Sequence, residues 1–408
     1  MSNMVITCNE KAAEIFNIHT NPGHDTRRLA IIHIAMHDAL NSITQNYGRY
    51  AYTAALSPNV SADAAVLEAG YQTMYWAIED VIKYQVKLIT ESLPGVEYSP
   101  GIKFDEIKCK NNILGWYNMQ MGGIADGAAK SNGKILGQQC ANAIIVKRSS
   151  DKSDTVDILS KIPKDGTNDG DFRADYYSTP IAEKNKLIVN FDKVTNFVIN
   201  NRPHFRQNPD YANQSDWEKD LNEVKDLGTP DHVLDSQLNA KVEFWSNLKP
   251  HIVWNNFAKQ VIQANTIDAW TTARVFAVIH TAMADGAILL FDDIYRFKKW
   301  RPVTAIRILL DPDWNHRKPI PRVPEYPTSF GIFGGAAGQI LEKVFPDPFS
   351  INLSTIPIIN YTSITDALND NTLATIYAGR NFRKTMVDSV KQGGLIGKYI
   401  YENEFLKK

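Results

Sequence analysis

The sequence predicts an all-α protein of two packed four-helix-type bundles, on three observations. Apolar residues recur at three-to-four spacing through most of the 408 residues, and the period-2 alternation of a half-buried strand is almost absent. The pattern Arg27-x-x-Ala30-Ile31-Ile32-His33-x-Ala35-Met36-x-Asp38 returns at a constant offset of 247 as Arg274-x-x-Ala277-Val278-Ile279-His280-x-Ala282-Met283-x-Asp285. Every named position is identical or an Ile/Val exchange, which predicts a duplicated helical unit with equivalent helices carrying the two copies. The composition, 44% hydrophobic and 22% charged, suits a chain long enough to bury a large core or two fused ones.

The elements follow in order. Arg27–Ile43 places Leu29, Ile32, Met36, Ala39 and Leu40 on one helical stripe, with a break at Asn21-Pro22-Gly23 and Asp25 as the expected N-cap. Ser61–Leu93 reads as one long helix or two stacked ones, capped by Ser61 and stopped at Leu93-Pro94-Gly95. A third pattern runs over about 123–147. Residues 149–195 turn polar, Gly/Asp-rich and aperiodic, which predicts a long surface excursion. Helical patterns resume at 215–224, 235–245, 254–264 and 268–295. A Pro-rich passage at 311–327 leads into an Ala/Gly-rich helix at 331–344, and a last helical region spans 364–391. The chain thus reads as a single domain over 1–408: a first bundle region at 1–150, the excursion at 151–200, and a second bundle region at 201–408.

Charge narrows the function classes. With 44 Lys+Arg against 45 Asp+Glu the net charge is −1, which argues against a nucleic-acid binder, since that needs a clustered positive excess. Cys8, Cys109 and Cys140 are widely spaced and form no CxxC, so no disulfide scaffold is expected and a reducing cytoplasmic compartment fits best. The start of the chain lacks the basic and apolar regions of a secretory signal. The greasiest stretch, Ala273–Phe291, contains His280 and Asp285, which would be costly at the centre of a bilayer, so it reads as a buried helix.

Three groups of residues are chemistry candidates. His33 and His37 stand one helical turn apart, the spacing of two metal-binding imidazoles. The second repeat copy has Ala284 where His37 stands, which favours a structural role. Asp285, Asp292 and Asp293 share roughly one helix face; stacked carboxylates repel unless a cation neutralises them. They read either as Mg²⁺ ligands for a diphosphate or as salt-bridge partners of Arg296, Lys298, Lys299, Arg301 and Arg307. The Asp292-Asp293 pair superficially resembles the aspartate-rich motif of class I terpene synthases, with Arg296 at the later acidic position. Gly334-Gly335-Ala336-Ala337-Gly338 follows no strand and fits no dinucleotide fingerprint, so close helix packing explains it.

Trp300-Arg301-Pro302-Val303-Thr304-Ala305-Ile306-Arg307 resembles a motif of the vanadium-dependent haloperoxidases, relatives of the type 2 phosphatidic acid phosphatases. The helical stretch from Arg28 to Asn41, and the passage through Asp311-Pro312-Asp313-Trp314, Pro324-Glu325-Tyr326-Pro327 and Gly334-Gly335-Ala336-Ala337, agree with that family too. The resemblance runs over nearly the whole chain. It implies an all-α pair of helical bundles and allows a homodimer. It also implies an oxyanion site whose residues have changed here. The family's Lys seven residues before Arg-Pro is Ile294, while the Arg is kept as Arg301. Its Pro-Ser-Gly-His reads Pro327-Thr328-Ser329-Phe330, and its last Arg-x5-His falls on Thr375 and Asn381. The acid–base His is thus Phe330, and the axial ligand or phosphorylated nucleophile is an amide. Lys298 and Lys299 are near enough in sequence to stand in for the lost Lys.

A desolvated, multiply charged oxyanion needs several charge-assisted hydrogen bonds, each worth roughly 1.5–3 kcal/mol. Of the family's side chains Arg301 remains, with Thr328 in the place of the Ser hydroxyl, so vanadate binding, haloperoxidase and phosphatase chemistry are not expected. The sequence favours a repurposed, non-redox cyclase or rearrangement enzyme for a hydrophobic small molecule, in the manner of a Mg²⁺-dependent terpene synthase acting on a prenyl diphosphate. In that reading Arg301, Thr328, Arg380 and Arg383 contact the anion, Asp285, Asp292 and Asp293 hold the metal, and Phe330 and Asn381 replace the catalytic imidazoles. A catalytically silent binding or scaffold protein, and a residual hydrolase or peroxidase using other residues, are the alternatives.

Overall fold

The structure, a computed structural model, describes residues 3–18, 22–90, 105–154, 165–173, 191–247, 249–321, 323–345 and 350–408. Among them the first half contributes α1 (Met4–Ile18), α2 (Pro22–Asn41), α3 (Ala62–Thr90), α4 (Glu106–Gly122) and α5 (Ala128–Arg148). The second contributes α6 (Gln214–Leu227), α7 (Ser236–Trp245), α8 (Pro250–Asn265), α9 (Ala269–Phe297), α10 (Pro302–Leu309), α11 (Ser329–Val344), α12 (Ile364–Tyr377) and α13 (Arg383–Asn403). One small antiparallel hairpin, β1 (Ile351–Leu353) with β2 (Ile359–Tyr361), pairs Asn352 with Asn360. The predicted all-α architecture is therefore observed.

Local chemistry sets many of the starts. Asp105, Asn213, Asp235, Asp268 and Ser363 each accept a backbone N–H of the following first turn, through Lys108, Asp216, Leu238, Thr271 and Asp366 respectively. Asp25 does not cap α2 as expected. It lies inside the helix, fully buried, and pairs with Arg28 at 3.1 Å. The expected helix at 123–147 is α5, preceded by α4, whose sparse apolar pattern buries only Ile113, Tyr117 and Met121. The last helical region is two helices, not one. Gly379 sits at φ 75°, where Gly228 also approaches too closely for a side chain, and this left-handed residue breaks the helix between α12 and α13. Part of the predicted surface excursion falls outside the described residues; its end does not lie on the surface, since Phe191, Val194, Phe197 and Ile199 are buried.

The two repeat copies lie on α2 and α9, and they pack on each other at the centre of one continuous core. His33 stacks on His280 with ring centroids 4.3 Å apart and planes 7° from parallel. The equivalent aspartates do the same work, each anchoring a loop. Asp38 accepts the consecutive backbone N–H groups of Tyr50, Ala51 and Tyr52, and Asp285 accepts those of Phe197, Val198 and Ile199. The Tyr50 hydroxyl then donates to the Phe197 carbonyl at 2.7 Å, tying the two anchored loops together. Helix α9 is long and apolar enough to cross a membrane, but its neighbours bury nearly all of it. Around α9 the Gly-rich face of α11 meets α13: a side chain at Gly335 would overlap the Val390 carbonyl, and one at Gly393 the Ile332 carbonyl. Close packing is thus what the small residues provide. A separate small core of Leu221, Val224, Trp300, Val303, Ile306 and Phe382 joins α6 and α10 to the start of α13. The candidate site rests on it.

Candidate active site

Arg301 is the residue before α10, held in extended backbone by Pro302 at the first helical position. It is buried, and its guanidinium donates to three backbone carbonyls, of Val323 (2.8 Å), Pro324 (3.2 Å) and Arg380 (3.2 Å). Arg380 follows the left-handed Gly379 and is equally committed, donating to the Pro319 carbonyl at 2.7 Å and to the Ser246 carbonyl. Its guanidinium lies 5.5 Å from the centre of the Phe330 ring. Burial, reinforced by the charge of Arg301, pushes its pKa down to about 9. Arg383, at the first turn of α13, forms a two-pronged ion pair with Glu223 at 2.6 and 2.8 Å. All three arginines expected to contact an anion are therefore engaged by the protein itself.

The other family positions are equally plain. Ile294 is buried and apolar. Thr328 precedes α11, and its backbone N–H donates to Ser389 Oγ at 3.0 Å. Phe330 is buried beneath Arg380. Lys299 pairs with Asp210 at 3.1 Å, and Lys298 turns the chain out of α9 in a left-handed conformation. Neither lysine is shown in the place of the missing one.

The residue that organises this region is Glu325, which sequence reasoning did not single out. Its carboxyl is only 1% exposed. Oε1 accepts Asn381 Nδ2 and the Phe382 backbone N–H, both at 3.0 Å, and Oε2 accepts the Thr385 hydroxyl. These donors lie at the start of α13, Asn381 and Phe382 just before it and Thr385 in its first turn, where the helix N-terminus favours a negative charge. Burial dominates nevertheless and raises the Glu325 pKa to about 7, against the opposing pull of Thr385, Arg301, Asn381 and Phe382. The available signal was an acidic residue between two prolines in Pro324-Glu325-Tyr326-Pro327. Only the fold shows that its carboxyl meets Asn381.

Glu325 and Thr385 line a cavity of about 250 Å³. Its aromatic wall is built from Trp217 of α6, Trp300 and Phe382: the two indoles stack with centroids 6.0 Å apart, and Phe382 meets Trp217 edge-on at 5.0 Å. Tyr211 adds a second edge contact to Trp217 at 5.3 Å. Tyr326 lines it too and donates its hydroxyl to Asp388 at 3.0 Å.

The three aspartates expected to bind Mg²⁺ are not assembled into a metal site. Asp285 uses its oxygens on the three loop amides described above. Asp292 and Asp293 are neutralised by Arg206, and Asp293 also accepts Gln392 Nε2 at 2.8 Å. The neutralising arginine comes from a loop remote in sequence, not from the basic run at 296–307. No group of three or more His, Cys, Asp or Glu is placed to hold a metal among the described residues. His33 and His37 do not meet as ligands either; His33 is stacked on His280, and His37 Nδ1 lies 3.2 Å from Asp38.

Residues 274–405 match the family profile of the VCPO second helical-bundle domain. No match was found among curated proteins. Over its whole length the chain is similar to the first bacterial vanadium-dependent iodoperoxidase structure, at 20% identity and a TM-score of 0.75, covering 99% of this chain and 97% of that one. It is also similar to a holo-type bacterial vanadium-dependent chloroperoxidase, at 14% identity and a TM-score of 0.63 over 94% of this chain and 92% of that one. Residues 274–405 thus match a VCPO-type second helical bundle, and the chain as a whole has the helical fold of these vanadium-dependent peroxidase structures.

Proposed function

We propose that this chain has left vanadate chemistry and is a non-redox enzyme for a hydrophobic small molecule, in which Glu325 exchanges a proton with the bound substrate. One observation carries this reading: a buried carboxyl, with its pKa near neutrality, lines an aromatic cavity in a chain whose fold is shared with vanadium-dependent enzymes. A pKa close to the working pH suits a group that must both take up and release a proton.

The residues present do not fit vanadate. A multiply charged anion requires donors that are not already committed, and Arg301, Arg380 and Arg383 are bonded to carbonyls and to Glu223. A carboxyl stands among the remaining donors and would repel a second anion whenever ionised. Asn381 offers no imidazole to ligate vanadium. The same reasoning weighs against a prenyl diphosphate, because among the described residues no carboxylate trio is gathered to hold the Mg²⁺ that would neutralise it. A catalytically silent binding protein is the second reading, favoured by the full set of bonds that already satisfies Arg301 and Arg380.

Two measurements test the proposal. Purified protein incubated with orthovanadate, peroxide and iodide or bromide is expected to give no halogenated product, and orthovanadate is expected to leave its melting temperature unchanged. Vanadate-dependent halogenation overturns the reading. Infrared difference spectra are expected to show one buried carboxyl titrating near pH 7 that vanishes in Glu325→Gln; its absence from the wild type removes the proton-exchange role.

A further inference from the structure

The cavity beside Glu325 carries a pattern of charge that selects its ligand. Two lysines line it, but each is held by an aspartate: Lys299 by Asp210 at 3.1 Å and Lys384 by Asp388 at 2.7 Å. Glu325 is less fully offset: it feels the charge of Arg301, whose guanidinium is bonded to backbone carbonyls, and its own hydrogen bonds come from an amide, a backbone N–H and a hydroxyl. A carboxylate offers about four acceptor positions. Oε1 has two filled and Oε2 one, which leaves Oε2 able to accept another donor in a cavity that both Glu325 and Thr385 line.

The rest of the wall suits the same partner. Trp217, Trp300, Phe382 and Tyr211 present aromatic surface, and the faces of such rings attract cations as well as apolar groups. An anion would meet the Glu325 carboxylate without a free basic side chain to offset it. A neutral hydrophobe would leave the carboxylate buried with only the charge of Arg301, already bonded to carbonyls, to offset it.

We infer that the cavity takes a small organic amine, entering as the ammonium and lying with its apolar body against the Trp217–Trp300–Phe382 wall. This rests on the reading of Glu325 as the proton-exchanging residue and names the chemistry it acts on. The ammonium donates to Oε2, and proton transfer gives the free amine and the carboxylic acid: one N–H bond breaks, one O–H bond forms, and no oxidant or reductant is needed. At about 250 Å³ the cavity holds a molecule of roughly ten heavy atoms.

Titration calorimetry with 2-phenylethylamine hydrochloride, 2-phenylethanol and phenylacetate at pH 8 tests the inference on the intact protein. The amine is expected to bind at least about tenfold more tightly than the alcohol or the carboxylate and to quench tryptophan fluorescence. Glu325→Gln, nearly isosteric and checked by its circular dichroism and melting temperature, is expected to abolish that preference. Trp217→Leu is expected to weaken the amine while leaving the preference in place. Equal binding of the three probes, no binding of the amine, or an unchanged preference in Glu325→Gln overturns it. The infrared titration and the vanadate assay stand apart from this result: if they hold and the amine fails, the ligand class is wrong and the proton-exchange role survives.

Discussion

Glu325 shows how the energy of one side chain depends on where the chain has carried it. Its pKa is raised from 4.5 to about 7, so the folded state holds the proton more tightly than the unfolded state. The associated stability is fully present below about pH 4.5 and is lost as pH rises through about 7. At 1.36 kcal/mol per pKa unit that is roughly 3 kcal/mol, an upper figure for a buried and coupled group. Denaturant unfolding of Glu325→Gln is expected to show no such loss, so that the variant overtakes the wild type in stability between pH 5 and pH 8. Arg301, Thr328, Phe330 and Asn381 could all be located from sequence, because short motifs mark them. What they bond to could not. The carbonyls that engage Arg301 come from Val323, Pro324 and Arg380, and nothing in a motif says where a carbonyl points.

At the level of elements, the repeated aspartates are structural anchors. Each holds three consecutive loop amides against a central helix, and removing the carboxylate strands those donors at about 1–3 kcal/mol apiece. Asp38→Ala and Asp285→Ala are each expected to lower stability by several kcal/mol in urea unfolding, and added Mg²⁺ is expected to shift neither variant nor wild type. The α11–α13 contact leads to a different expectation. Gly335→Ala places a methyl group against the Val390 carbonyl, so the helices must separate; a loss of about 1–3 kcal/mol is expected, read as a lower melting temperature. Both features were half visible. The repeat marked Asp38 and Asp285 as equivalent and the glycines marked tight packing, but the acidic face of α9 was read toward a metal because Arg206 is far away in sequence. Helix α4 was missed because few of its side chains face the core.

For the molecule as a whole, the stack of His33 on His280 lies where the two repeat helices meet. Burial lowers both pKa values, that of His33 to about 3, and the two rings oppose each other's protonation. A lowered histidine pKa gives stability that is present above about pH 6.5 and is lost as pH falls toward the folded value. The wild type is therefore expected to lose stability on acidification below about pH 6.5. His33→Phe, which keeps an aromatic ring in the stack, is expected to make that loss shallower in melting curves between pH 4 and pH 7. With Glu325 acting in the opposite sense, the two groups bracket a stability maximum near neutrality.

Helical periodicity, the 247-residue repeat and the motif around Arg301 were enough to establish the all-α architecture and its likeness to the vanadium haloperoxidase fold, because these depend on spacing along the chain. Spacing survives in a sequence. Which charges neutralise which, and whether a carboxyl lies in water or against an aromatic wall, depend on contacts between residues far apart in sequence. Asp293 with Arg206, Glu325 with Asn381, and Trp217 with Trp300 are such contacts. Coulomb energy and desolvation act on distance in space, and only the folded molecule sets that distance.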